Sequence, residues 1–147
     1  MPKRKRKIVK VNENNHAVNN LAERIKTISE GLYYTSETDA EILPFIGTAA
    51  KSVSKEEILR QTNSSPDAPV EERGFAEFFD RLISIQDWYG EEETTTAGKF
   101  AALRNLLEGN LKDLKVFKIG RIELDIYFVG LDAAGNLTGI KTRAVET

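Results

Sequence analysis

An α+β fold is predicted by two patterns along the 147-residue chain. Through the first two-thirds, apolar residues recur at three- and four-residue intervals, as on one face of a helix; in the last third they alternate with polar residues, as on one face of a strand. Helices first and a strand meander last imply helices covering one side of a largely antiparallel sheet. With 40% hydrophobic residues, the length suits one domain with its own core and calls for no second one.

The first 17 residues join a charge block to Asn12, Asn14 and Asn15, too polar to bury a face, and are expected to form a disordered basic extension before a domain at 18–147. Val18, Leu21, Ala22, Ile25 and Ile28 then mark an amphipathic helix that stops at Gly31. Residues 32–39 read as a polar connection. Pro44 limits the apolar run at residues 41–46 to a short or edge strand, because proline has no N–H for a ladder. Ser54 and Glu57 have the spacing of a capping box, predicting a helix to about Thr62, and Pro66 and Pro69 lie in a loop. Phe75, Phe78, Phe79 and Leu82 predict a short helix. After an acidic loop at Gly90 to Glu93, Ala97, Phe100, Leu103, Leu106 and Leu107 predict the longest one, ending near Gly109. Lys115 to Ile119 reads as a strand before a turn at Gly120. Ile122, Leu124, Ile126 and Phe128 give a half-buried strand, and the loop Asp132 to Asn136 leads into a partner strand, Leu137 to Val145, closing a C-terminal β-hairpin. There is no internal repeat.

The net charge of −2 conceals an asymmetry. Six of the 21 basic residues (Lys3, Arg4, Lys5, Arg6, Lys7 and Lys10) fall in the first ten positions; without them 15 basic residues face 23 acidic ones, a net charge of −8. Such a body repels phosphates at long range and is drawn to cationic surfaces, including the cleft of an enzyme that handles nucleic acid. The basic segment is followed by polar sequence rather than an apolar run, so it is not a signal peptide, and no stretch is long and apolar enough to span a membrane. With no cysteine, disulfides and thiolate chemistry are excluded. The expected location is intracellular and cytoplasmic, with a nuclear one open in a eukaryotic host.

Material for catalysis is scarce. The sole histidine, His16, sits in the polar extension, so nucleophilic dyads, triads and zinc sites built on nitrogen or sulfur have no components. Glu91, Glu92 and Glu93 are neighbours whose side chains point apart rather than converge on a metal, and residues 135–139 lack the Lys-Ser/Thr ending of a phosphate loop. No enzyme activity, cofactor or metal of its own is expected. The segment around the only tryptophan, Gln86-Asp87-Trp88-Tyr89, joins a large aromatic to a carboxylate, the composition of an anchor against an arginine-rich surface.

Four stretches resemble the nuclease A inhibitor family of cyanobacterial type: Ser29-Glu30-Gly31-Leu32-Tyr33-Tyr34-Thr35-Ser36-Glu37; Gln86-Asp87-Trp88-Tyr89; Gly120-Arg121-Ile122-Glu123-Leu124-Asp125-Ile126-Tyr127; and the ending from Ala134 to Thr147. The resemblance runs from about Leu21 to the last residue. It implies a three-layer α/β/α sandwich, similar to the plant pathogenesis-related PR-1 fold, with helices on both sides of the sheet. It also implies a stoichiometric inhibitor that binds a Mg²⁺-dependent, sugar-non-specific ββα-metal endonuclease cleaving DNA and RNA, as a monomer in a 1:1 complex. By the same resemblance Glu37, Asp87 and Trp88 contact basic groups in the nuclease cleft, and Thr147 reaches the nuclease's catalytic metal. Hard oxygen donors standing in for a phosphate would suit such a site. The segment 44–50 matches the family only loosely, and the basic head is not a family feature. The alternative is a nucleic-acid-associated or nuclear adaptor acting through residues 3–10; the domain itself is not expected to bind nucleic acid or membrane. A carboxylate-metal hydrolase is the third reading.

Overall fold

The structure, a computed structural model, describes residues 13–83 and 90–147, with side chains from Asn20 onward. Four helices and seven strands follow one another in these residues: α1 (Glu13–Ser29), β1 (Tyr33–Thr35), β2 (Asp39–Glu41), β3 (Leu43–Ala49), α2 (Lys55–Gln61), β4 (Val70–Gly74), α3 (Phe75–Ile83), α4 (Glu91–Asn110), β5 (Lys112–Gly120), β6 (Glu123–Leu131) and β7 (Asn136–Val145). The basic segment at residues 3–10 lies outside the described residues, and α1 starts at Glu13, ahead of the apolar periodicity that begins at Val18.

The main sheet has the order β3-β7-β6-β5-β4, every pair antiparallel. Between β6 and β7 the Asp132 carboxylate accepts the N–H groups of Ala134 and Asn136, both at 2.9 Å, and the Thr138 hydroxyl at 3.0 Å. Gly135 supplies the left-handed conformation the turn needs, at φ +79°. β1 and β2 form a separate two-stranded sheet, so the connection expected at residues 32–39 is a small hairpin. Three-residue strands are too short to show a period of two, which is why the sequence pattern passed over them.

Two apolar clusters fill the two faces of the main sheet. Val116, Leu124, Ile126, Phe128, Ile140 and Ala144 face one way, against Leu21 and Ile25 of α1 and the apolar sides of α3 and α4. The alternate residues Phe117, Ile119, Val129 and Leu137 face the other way, against Val53 and the α2 residues Ile58 and Leu59. The expectation of helices on one side only is therefore corrected: α2 covers the opposite face. The cause is visible in the adjacent pairs Val116-Phe117 and Phe128-Val129, which put an apolar side chain on both faces of a strand and leave both needing cover.

Other expectations hold with adjustments. Pro44 lies on β3, an edge strand, and the Gln61 side chain closes that edge by accepting from Thr48 N–H at 2.7 Å and donating to Thr48 C=O at 3.0 Å. Ser54 caps α2 by accepting from Glu57 N–H at 3.3 Å, whereas the Glu57 carboxylate turns to Arg60 at 2.6 Å. The acidic loop at 91–93 is instead the first turn of α4, where Glu93 accepts from Gly90 N–H at 3.0 Å and carboxylates complement the positive end of the helix dipole. The stretch before Phe75 holds a strand, β4, that was not expected. Ile122, assigned to the buried alternation, is 55% exposed because β6 begins after it.

Gly139 lets β7 approach β6 closely: a Cβ there would run into the carbonyl oxygen of Phe128. Gly139→Ala is predicted to destabilise the fold by about 3 kcal/mol, whereas Gly98→Ala, with open space at an exposed site inside α4, should stabilise it by about 0.5–1 kcal/mol. Urea unfolding of both variants against the parent checks the opposite signs.

Candidate functional site

The β1–β2 hairpin sits at the end of β7, and its tip carries Glu37. Ser36 begins the turn, with its N–H donated to Thr38 C=O at 2.9 Å. Its hydroxyl oxygen accepts Val145 N–H at 2.9 Å, and Glu37 N–H reaches Val145 C=O at 3.3 Å. Further along, the Thr142 hydroxyl donates to Glu41 C=O at 2.9 Å. The hairpin is thus fastened along β7 by backbone groups and short hydroxyl side chains, the kind that reach neighbouring main chain without spanning a gap.

These fastenings bring together two of the residues singled out in the sequence, 110 positions apart. Thr147 N–H donates to Glu37 Oε2 at 2.7 Å, and the Thr147 hydroxyl lies 2.8 Å from Oε1 and 3.0 Å from Oε2. A hydroxyl has one proton, so it donates to one of these oxygens at a time, and its lone pairs stay available on the side away from the carboxylate. Both residues are exposed. Asp87 and Trp88 lie outside the described residues; they follow α3 in the chain, whose Phe78 stacks on Tyr34 of the same hairpin with ring centroids 6.1 Å apart.

The surroundings are predominantly acidic on one side. A cleft of about 430 Å³ opens between β2 and the ends of β6 and β7, lined by Thr38, Asp39, Glu123, Asp125 and Arg143 among others. Arg143 lies 3.5 Å from Asp125, leaving Asp39 and Glu123 as further exposed carboxylates at this end of the sheet. Beneath Thr147 the charge reverses. Glu146 donates its N–H to Ile122 C=O at 2.9 Å and its carboxylate receives Lys118 Nζ at 2.9 Å. Burial, and next the negative charge of Glu146, push the Tyr34 phenol above its ordinary range, while Arg73 and Arg81 pull it the other way.

Ser36, Lys118 and Glu146 were not identified from the sequence. Lys118 had a usable signal, being the one charge inside the apolar run from Val116 to Ile119. Ser36 and Glu146 had none beyond their places beside Glu37 and Thr147. Among the described residues no group of three His, Cys, Asp or Glu is arranged to hold a metal ion, and no helix is long and apolar enough to cross a membrane.

A search of curated proteins finds no match to the sequence. The profile of the family described as nuclease A inhibitor-like protein matches residues 19–147, which takes in both apolar clusters, the hairpin and Thr147, and bears out the resemblance read from the four stretches. The chain belongs to the nuclease A inhibitor-like protein family.

Proposed function

We propose that the chain is a stoichiometric inhibitor of a Mg²⁺-dependent, sugar-non-specific ββα-metal endonuclease, binding as a monomer in a 1:1 complex and occupying the active site. In this reading the sheet and its helices form a three-layer α/β/α sandwich of the PR-1-like kind. Its role is to hold a small acidic surface rigid; no catalysis and no cofactor of its own are involved. The observation that carries the reading is the junction of Glu37 with Thr147.

The chemistry of that junction fits the target. A Mg²⁺-dependent nuclease holds a hard cation flanked by arginine and lysine that receive the scissile phosphate, and a small neutral oxygen beside a carboxylate offers the same features. By accepting the Thr147 proton, Glu37 turns the hydroxyl lone pairs outward and raises the oxygen's donor strength, as a carboxylate behind a metal ligand does. Its two oxygens keep lone pairs for the bidentate grip of an arginine. Asp87 would pair with a second basic group, and Trp88 would add buried aromatic area next to it. The acidic cleft lined by Asp39 and Glu123 supports a cationic partner and speeds its approach.

Titrating the protein into such a nuclease with Mg²⁺ and plasmid DNA is expected to abolish digestion near one equivalent; full activity at a several-fold excess, across several such enzymes, would defeat the proposal. Glu37→Ala and Trp88→Ala should each weaken inhibition about 100-fold, since each removes a desolvated contact of roughly 2–3 kcal/mol, while Glu92→Ala on the exposed first turn of α4 should change it less than about two-fold. Equal inhibition constants for the three variants would dismantle the assignment of contacts. Deleting residues 3–10 is expected to leave the inhibition constant unchanged at moderate salt, because the contact set lies elsewhere; loss of DNA retention or nuclear accumulation on the same deletion would favour the adaptor reading.

A further inference from the structure

We propose that Lys118 is a positioning residue for the Thr147 hydroxyl, acting through Glu146; this rests on the inhibitor reading for its purpose but on the free protein for its geometry. Lys118 occupies β5, between β4 and β6, opposite Glu71 and Ile126, and is only 8% exposed. An ammonium group at such a site is costly without a partner. Its carboxylate partner is Glu146, at 2.9 Å, with the lysine side chain far more buried than the glutamate.

Glu146 is thereby held at two points, by Lys118 through its side chain and by Ile122 C=O through its N–H. The next side chain, Thr147, goes to a different anchor, Glu37. The Glu37 contacts to Thr147 are exposed, where hydrogen bonds and charges gain least. The buried lysine supplies what the exposed contacts lack, a partner whose own desolvation makes release of Glu146 unfavourable. Glu146 also neutralises a cation beneath an otherwise acidic surface, so the ion pair serves the field presented to a basic cleft as well as the direction of the threonine. Arg73 and Arg81 also act on Tyr34, but they are paired with Glu71 and Glu77, which leaves Lys118 as the cation bonded to Glu146.

The test combines an order measurement on the free protein with a double-mutant cycle. Lys118→Met keeps length and removes charge; Lys118→Arg keeps charge. In Lys118→Met the heteronuclear NOE of the Thr147 amide should fall to that of a frayed end, and the inhibition constant for a Mg²⁺-dependent ββα-metal nuclease should rise about 10- to 100-fold, the range for removing an orienting partner. Lys118→Arg should restore most of both. With Thr147 deleted, Lys118→Met should add less than about two-fold. An ordered Thr147 in Lys118→Met, or the same loss of inhibition with and without Thr147, would overturn the proposal. If Lys118→Met does not fold, Glu146→Gln replaces it: a disordered Thr147 supports the assignment and an unchanged one defeats it. Should the parent inhibit no nuclease while Thr147 still frays in the variants, Lys118 keeps its positioning role and the inhibitor reading falls.

Discussion

One carboxylate, Glu37, accepts both the N–H and the hydroxyl of Thr147, and much of the surrounding structure exists to bring those two residues within 3 Å. Hydrogen bonds to a charged group contribute about 1.5–3 kcal/mol each when buried and less when exposed. That is too little to order both a hairpin tip and the residues after β7, each of which loses about 1–2 kcal/mol of backbone entropy per residue. The junction therefore depends on anchors that do not touch it. Ser36 ties the hairpin to Val145, Thr142 ties it to Glu41, and Ile122 with Lys118 fixes Glu146. The site is the last link in a set of short contacts made from the sheet outward.

The sheet in turn is rigid because both of its faces are covered. Phe128 makes edge contacts with Phe78 and Phe79, each with ring centroids 5.2 Å apart, and Phe78 carries the stack onward to Tyr34 in the hairpin. A continuous aromatic path thus runs from the centre of the sheet to within three residues of Glu37. On the opposite face α2 presses Ile58 and Leu59 onto Phe117, Val129 and Leu137. A surface supported in this way has little freedom left to lose, and ordering of side chains and loops is one of the costs of association.

Long periodic segments were legible in the sequence. The alternation from Leu124 to Phe128, the three- and four-residue spacing from Ala97 to Leu107, and the glycine turn at 135 all correspond to elements of the structure. What escaped was short or double-sided. β1 and β2 are too brief to show a period, and β4 hides in a charged stretch, Glu71-Glu72-Arg73, on an edge where its apolar content is low. The periodicity missed the layer on the second face because the strands were read as half-buried; only the family resemblance implied helices on both sides. At the site, Glu37 and Thr147 were legible only through family resemblance, since 110 residues separate them and neither carries a local signal of its partner. Asp87 and Trp88 carried a local signal, a large aromatic beside a carboxylate, in addition to the resemblance, and lie outside the described residues.

The family assignment makes the chain a nuclease inhibitor by kinship. The geometry adds a reason why this chain would be a good one: a threonine oxygen fixed beside a carboxylate, on an acidic end of a rigid sheet. The most direct measurement is a crystal structure of the complex with a catalytically impaired, Mg²⁺-loaded ββα-metal nuclease. The Thr147 hydroxyl oxygen is expected in the metal's coordination sphere, at about 2.1 Å, with Glu37 still bonded to Thr147 and paired with an arginine of the nuclease. A complex in which Thr147 faces solvent, or in which the nuclease metal keeps only water and its own ligands, would contradict it.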